Sequence, residues 1–105
     1  MSAGTLVPVF AALADDTRWS ILQMLSEGDA SASSLAGRLP VTRQAIAKHL
    51  GVLEDVGLVE SLRVGREVRY RVIGSQLSAT ARRLDSIGAE WERRLALIKE
   101  IAEGL

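Results

Sequence analysis

The sequence contains no cysteine and only one histidine, His49. These shortages exclude a disulfide framework, a thiolate nucleophile and a metal site built from cysteines or from several histidines. No apolar run approaches the roughly 18 residues that a membrane-spanning helix needs. No basic residue precedes an apolar segment near the N-terminus, as it does in a signal peptide. We therefore expect a cytoplasmic protein that carries no cofactor and no metal and does not contact a membrane.

The formal net charge of zero conceals an uneven distribution of charge. Residues 1–37 carry one basic and four acidic side chains, whereas residues 38–71 carry seven basic and four acidic ones. A basic central third is typical of proteins that bind nucleic acid. The length of 105 residues, with 48% hydrophobic and 25% charged residues, predicts a single globular domain over 1–105.

Capping residues and apolar spacing predict two helices in the first 28 residues. Pro8 suits a helix start, and a short apolar face follows over 8–14. Asp15 or Asp16 caps the second helix, because a carboxylate accepts hydrogen bonds from the unpaired N–H groups of a first turn. This second helix is predicted to end at Gly28.

Two further helices follow with a very short turn between them. Ser31 or Ser33 caps a helix that runs through Leu39, and Pro40 ends it because proline brings no N–H. Thr42 caps the next helix. Two helices joined by so short a turn cross steeply, so we predict a helix-turn-helix over about residues 32–56.

The hydrophobic period then changes from that of a helix to that of a strand. Two segments rich in β-branched residues flank Gly65, which predicts a hairpin over about residues 58–73. A long helix is expected over about residues 75–103. The fold class is therefore mainly α with a β-hairpin, in the order α-α-α-α-β-β-α of a winged helix-turn-helix. Within the second strand, the residues predicted to face the core are Val68, Tyr70 and Val72.

The second helix of a helix-turn-helix meets base edges in the major groove. Its exposed side chains here suit that role, because arginine pairs with guanine, glutamine pairs with adenine, and lysine neutralises phosphate. Arginine at the tip of the hairpin suits a minor groove or flanking phosphates, although each single arginine is also compatible with a merely solvated strand face. The predicted DNA contacts are Thr42, Arg43, Gln44, Ala47, Lys48, His49, Arg63, Arg66 and Arg69, with packing as the alternative for His49.

Four segments in order resemble those of ArsR/SmtB-type transcriptional repressors. They are ALADDTR at 12–18, LPVTRQAIAKHL at 39–50, VLEDVGLV at 52–59 and GREVRY at 65–70. The resemblance spans roughly residues 8–101. It implies a homodimeric winged-helix repressor that binds near-palindromic double-stranded DNA through residues 42–49 and the wing, as the hairpin is called in this fold.

The sequence departs from the members of this family that sense metals. The resemblance implies that the metal-sensing members bind metals through cysteines on the third helix, or through sets of Asp, His and Glu on the last helix. Here the third helix offers only serines, and the last helix has no histidine. Serine is a poor ligand for soft metals, so we expect a branch that does not sense them.

The last helix carries apolar residues every seven positions, with smaller residues on a neighbouring line. At about 1.5 Å per residue this helix is too long to be covered by its own domain, and the resemblance places the first and last helices in a dimer interface. The predicted homodimer contacts are Phe10, Leu77, Leu84, Trp91, Leu95 and Ile98, with Leu105 at the end of the repeat.

Three further interpretations accompany this one. Winged helices also serve as protein-interaction modules without DNA, which is the main alternative. An enzyme is not expected, since the sequence offers no carboxylate pair, metal set or glycine-rich phosphate loop. A small apolar effector between the first and last helices, near Phe10, Trp19 and Trp91, is a further hypothesis. For Trp19, packing in the core or in an interface is the simpler role.

Overall fold

The computed structural model describes residues 6–104 as helices joined to one small antiparallel sheet with the strand order β1-β3-β2. The predicted winged helix-turn-helix is confirmed. The elements are α1 (Leu6–Leu13), α2 (Asp16–Glu27), β1 (Ala30–Ser31), α3 (Ala32–Ala36), α4 (Arg43–Asp55), β2 (Val59–Val64), β3 (Glu67–Val72) and α5 (Gly74–Gly104).

Three helices begin at side-chain caps that the sequence predicts. Asp15, Ser31 and Thr42 each accept a hydrogen bond from the backbone N–H three residues further along, at 2.9, 3.1 and 3.1 Å. Each bond satisfies a donor that the first turn of a helix leaves unpaired. The caps before α3 and α4 fix the two ends of the turn that sets the angle between these helices.

Two helix boundaries differ from the sequence-based expectation. α1 extends over Leu6–Leu13 and so includes two residues before Pro8, the helix start that the sequence favours. α3 ends at Ala36 and not at Leu39. Leu39 nevertheless packs against the core from the turn that follows, so its four-residue spacing from Leu35 looked helical.

The wing is a hairpin closed by a two-residue loop. Val64 pairs with Glu67, which leaves Gly65 and Arg66 as the loop residues. Gly65 has a φ of 64°, the left-handed conformation that the first position of such a loop requires and that glycine adopts without a steric cost. Arg66 therefore lies at the tip of the wing, where the sequence placed it.

A short strand that the sequence did not reveal joins the wing to the helix-turn-helix. β1 pairs antiparallel with β3, with Ala30 opposite Tyr70 and Ser31 opposite Arg69. Two residues are too few to show an alternating pattern, and this pairing joins distant parts of the chain. Its consequence is that the start of α3 lies beside the wing.

The core lies between the helices and the base of the hairpin. Its fully buried side chains are Val9, Ile21, Leu35, Ile46, Leu50, Leu53, Leu58 and Val59. Tyr70 and Val72 pack against this core as predicted. Val68 does not, and the prediction for it was wrong: it is 42% exposed, because the hairpin extends beyond the edge of the core towards its tip.

The two parts of α5 differ in their surroundings. Its first turns lie against the rest of the molecule, and Thr80 is the one residue of the helix that is buried. Residues 81–104 project away from it, so that the molecule measures 69 × 26 × 23 Å. We call residues 6–80 the body and residues 81–104 the rod.

Candidate DNA-binding surface

An open groove of about 760 Å³ lies between the start of α4, the start of α3 and the wing. It brings together four residues that the sequence assigned to DNA contact: Arg43, Gln44 and Ala47 on α4, and Arg66 at the wing tip. Ala47 adds little bulk to the floor of the groove, which lets a ligand approach the helix closely. The remaining lining residues, which the sequence did not assign to DNA contact, are Ser31, Ala32, Ser33, Glu67, Val68 and Tyr70.

Sequence reasoning missed the contribution of α3 and β1 to this groove. Ser31 reaches it because β1 pairs with β3, and Ser33 follows in the first turn of α3. The sequence identified Ser31 and Ser33 only as candidate helix caps. Tyr70 was assigned to the core, where one side of it does pack, but it also lines the groove.

Four basic side chains in or beside the groove are without side-chain partners. Within residues 6–104, Arg43, Lys48, Arg63 and Arg66 form no ion pair or hydrogen bond through their side chains. Their charge is therefore free to meet an anionic ligand. Four other arginines are paired at 2.6–3.5 Å with acidic side chains, namely Arg38, Arg69, Arg71 and Arg94.

The two faces of the wing separate arginines that the sequence grouped together. Arg63 lies opposite Val68 in the hairpin register, and opposed residues share a face, so Arg63 points to the same side as the groove. Arg69 lies on the other face. Its Nε donates to Oε1 of Glu67 at 2.6 Å, and it does not line the groove.

His49 does not line the groove either. Its Nδ1 lies 3.3 Å from Nη1 of Arg18 and 3.9 Å from Oδ2 of Asp15. The Asp15 carboxylate also accepts the backbone N–H of Arg18, and this bond holds the pKa of Asp15 below its ordinary value of 3.8. This arrangement favours the packing role that the sequence left open for His49.

Thr42, the cap of α4, and Lys48 on α4 lie outside the groove lining. The hydroxyl of Thr42 accepts the backbone N–H of Ala45 at the helix start, and the hydroxyl proton remains available to a phosphate. Lys48 is exposed and lies one turn after Gln44 on the same side of the helix. Both flank the groove along the axis of α4.

The rod exposes most of the residues that the sequence assigned to a homodimer interface. Leu84, Trp91, Leu95 and Ile98 are exposed along one side of α5, with Trp91 at 55%; we call these four residues the rod stripe. Leu77 is only partly exposed, because the first turn of α5 still lies on the body and Leu77 packs against the core there, so its place in an interface stays a prediction. The repeat also missed three exposed apolar residues of the rod: Ile87, Leu97 and Ile101.

Two aromatic residues of the body are exposed as well. Phe10 on α1 is 37% exposed, in keeping with an interface position. Trp19 on α2 is 47% exposed and is therefore not a core residue. Leu105, at the end of the predicted repeat, lies outside the described residues, and an effector between the first and last helices stays a prediction.

Residues 6–104 contain no candidate membrane span and no candidate metal cluster. No helix in that range combines the length and the apolar composition that crossing a membrane requires. The same residues contain no group of three or more His, Asp or Glu side chains placed to hold a metal ion.

Comparison with known sequences agrees with this geometry. The family described as "Helix-turn-helix domain" matches residues 13–61. The HTH-type transcriptional regulator YuzN of Bacillus subtilis is 50% identical over 72 residues, which cover 62% of this chain and 75% of the relative. The arsenical resistance operon repressor of Escherichia coli is 30% identical over 98 residues, which cover 91% of this chain and 84% of the repressor.

Comparison with solved structures extends the likeness to nearly the full chain. An ArsR-like transcriptional regulator from Rhodococcus sp. RHA1 is 65% identical with a TM-score of 0.89, over 94% of this chain and 93% of that one. A homodimeric winged helix-turn-helix DNA-binding domain from Mycobacterium bovis is 26% identical with a TM-score of 0.68, over 83% and 80% of the two chains. The resemblance drawn from the four sequence segments is thereby confirmed: the chain belongs to the ArsR family of winged helix-turn-helix proteins and is a DNA-binding transcriptional regulator.

Proposed function

We propose that two copies of this chain pair through α1 and the rod stripe and repress transcription from a near-palindromic operator. The observation that carries the proposal is the groove, in which the start of the recognition helix α4 and the tip of the wing present unpaired arginines side by side. A twofold dimer would place two such grooves about 34 Å apart, one turn of duplex DNA.

The contacts follow from the position of each side chain. Arg43 and Gln44 reach base edges in the major groove, and Ala47 permits close approach of α4. Thr42 and Lys48 contact phosphates beside the helix, while Arg63 and Arg66 contact the backbone or the minor groove beyond it. We leave out Arg69, which is paired with Glu67 on the other face of the wing, and His49, which faces Arg18.

The proposed homodimer is supported by apolar surface that one chain leaves uncovered. The rod stripe is exposed along about 20 Å of helix, and contiguous apolar surface of this kind marks an interaction site. A solved relative with the same architecture is homodimeric. Phe10 would join this interface from α1.

We further propose that metal ions do not regulate this protein and that it has no catalytic role. The support is the chemistry of the available donors, since the chain has no cysteine and one histidine, and that histidine faces Arg18. Serine hydroxyls at the start of α3 are poor ligands for soft metals. Adding zinc, cadmium or arsenite to the protein–DNA complex should leave the fraction of bound DNA unchanged.

A DNA-retention assay with two matched variants tests the proposed function. Fragments of the gene's upstream region are titrated with protein in the presence of excess scrambled duplex. Arg43→Ala should weaken binding about tenfold, as expected for the loss of an arginine that contacts a base. Arg93→Ala removes the same charge from the exposed outer side of the rod and should change nothing.

Two results would overturn the proposal. The first is that no fragment is retained at low salt, where the phosphate contribution to binding is strongest; this result would favour a protein-interaction module. The second is an equal loss from both variants, which would show that general charge, and not the groove, holds the DNA.

A further inference from the structure

The side chain of Arg18 connects the end of α1 with the middle of α4. Its Nε donates to the carbonyl oxygen of Ala12 at 2.7 Å, and its Nη2 donates to that of Ala11 at 3.3 Å. Its Nη1 lies 3.3 Å from Nδ1 of His49 on the recognition helix. The two carbonyl groups belong to the last turn of α1, and that of Ala11 also accepts the backbone N–H of Ala14 at 3.4 Å.

The direction of the bond to His49 is fixed by chemistry. Arginine only donates hydrogen bonds, so Nδ1 of His49 is the acceptor in this contact. The backbone of Arg18 is held as well, because its N–H donates a hydrogen bond to the Asp15 carboxylate at 2.9 Å. A rigid, planar guanidinium thus has three fixed partners, which come from two helices.

Apolar packing holds α1 against the core, whereas the hydrogen bonds of Arg18 fix the orientation of α1 relative to α4. Val9 and Ala12 bury α1 in the core, but apolar contacts are non-directional and tolerate small rotations. The forked guanidinium fixes direction, because several donors must meet their acceptors at once. Neither Arg18 nor His49 lines the groove, so their link acts on the orientation of α4 and not on DNA itself.

We propose that Arg18 is a positioning residue for DNA recognition: through His49 it sets the angle of α4 against α1, and thereby the distance between the two recognition helices of the dimer. The proposal rests on the proposed function, in which α1 belongs to the dimer interface. α4 is about 20 Å long at 1.5 Å per residue, so a tilt of about 10° moves its far end by about 3.5 Å. That displacement is close to the step of about 3.4 Å between base pairs.

The property to measure is therefore the preference of the dimer for one separation between the two DNA half-sites. The probes are duplexes that carry the half-site selected by the wild-type protein from genomic fragments. They are built as inverted repeats at the preferred separation and at one base pair more or less, together with a single half-site. Wild-type protein should discriminate strongly between the separations.

Two variants remove the hydrogen bond between Arg18 and His49, and a third variant keeps it. In Arg18→Lys the charge remains but the fork is lost, and in His49→Leu the acceptor is lost. Each should reduce the discrimination between separations about tenfold, the factor expected from one hydrogen bond to a charged group, with little change on the single half-site. In His49→Asn an amide oxygen takes the place of Nδ1, so this variant should retain the discrimination.

The controls distinguish positioning from simple loss of stability or contact. Arg38→Lys changes an arginine that pairs with Glu27 at the surface, 3.5 Å away, and should leave the spacing preference intact. If thermal unfolding shows that Arg18→Lys is too unstable to assay, the spacing preference of His49→Leu is compared with that of His49→Asn instead.

Three outcomes would contradict this inference. Unchanged spacing preference in both link-breaking variants would overturn it directly. An equal loss of affinity on the single half-site and at every separation would mean that His49 contacts DNA or that the variants are only less stable. Failure of the wild-type protein to retain any duplex would instead refute the proposed function, and this inference with it.

Discussion

α4 in the body is covered by its own chain along its apolar face, whereas the apolar face of the rod lies in solvent. Leu50 and Ile46 on α4 have no exposed surface, while Leu95 and Ile98 on α5 are more than half exposed. Both sets lie on helices with apolar residues three and four positions apart. The pattern that buries one helix within its own chain therefore leaves the other exposed, and this is the surface that the proposed homodimer would cover.

Charged side chains also differ in their surroundings. Arg94 on the rod is paired with Glu90, and Arg71 on the body with Asp29. Within residues 6–104, Arg43 and Arg66 in the groove have no such partner. The rod stripe thus offers an apolar surface to the proposed second copy, and the groove offers a cationic surface to the proposed DNA.

The largest expected contrast comes from matched truncations in the two regions. Leu50→Ala removes a fully buried side chain and should lower the free energy of unfolding by about 2–5 kcal/mol. Leu95→Ala should affect unfolding only where the dimer is populated, since in one chain its side chain is exposed. Urea unfolding at a low and a high protein concentration distinguishes them. A loss for Leu95→Ala that is independent of concentration would contradict the division into body and rod.

A negative charge placed in the rod stripe should separate the two copies. Trp91→Glu should raise the dimer dissociation constant by about a hundredfold or more, because buried aromatic side chains dominate interface energies. Leu97→Glu is the control, since at about 100° per residue Leu97 lies about 120° around α5 from Trp91 and outside the rod stripe. Sedimentation equilibrium measures both variants. Dimers of equal strength would show that the rod stripe is not the interface.

Two single changes in the groove should have effects of different kinds. Arg66→Ala should weaken binding to operator and scrambled duplex alike and make the slope of log affinity against log salt shallower by about 0.9, the value for one phosphate contact. Gln44→Ala should mainly lower the ratio of operator to scrambled binding, by about tenfold. Titrations at several salt concentrations test both. Identical behaviour of the two variants would contradict the assignment of base contact to Gln44 and phosphate contact to Arg66.

Local chemistry explains which parts of this fold and site the sequence could predict. Caps act within three residues, so the sequence alone identified Thr42 and narrowed the other two caps to pairs of candidates that include Asp15 and Ser31. The wing tip at Arg66 followed from Gly65 in the same way. The candidates Arg43, Gln44 and Ala47 followed from the helical period, which assigns Ile46 and Leu50 to the core.

What the sequence could not predict depends on contacts between distant segments. The pairing of Ala30 with Tyr70 closes one side of the groove, and nothing in either residue indicates the other. The exposure of Val68 depends on where the core ends, which alternation along one strand does not define. Arg63 and Arg69 looked equivalent until the hairpin register placed them on opposite faces.

The smallest expected effect tests the body alone, through the cap of α2. The backbone N–H of Arg18 lowers the pKa of Asp15 below 3.8 in the folded chain, so the carboxylate stabilises the fold fully above that pH. The stabilisation is lost as the pH falls through the lowered native pKa. Asparagine caps a helix about as well and does not titrate. The urea midpoint of the wild-type protein should therefore fall relative to that of Asp15→Asn as the solution is acidified. Because Asp15 lies in the body, the same difference should persist when both proteins also carry Trp91→Glu; its disappearance there would tie this carboxylate to the dimer and not to the first turn of α2.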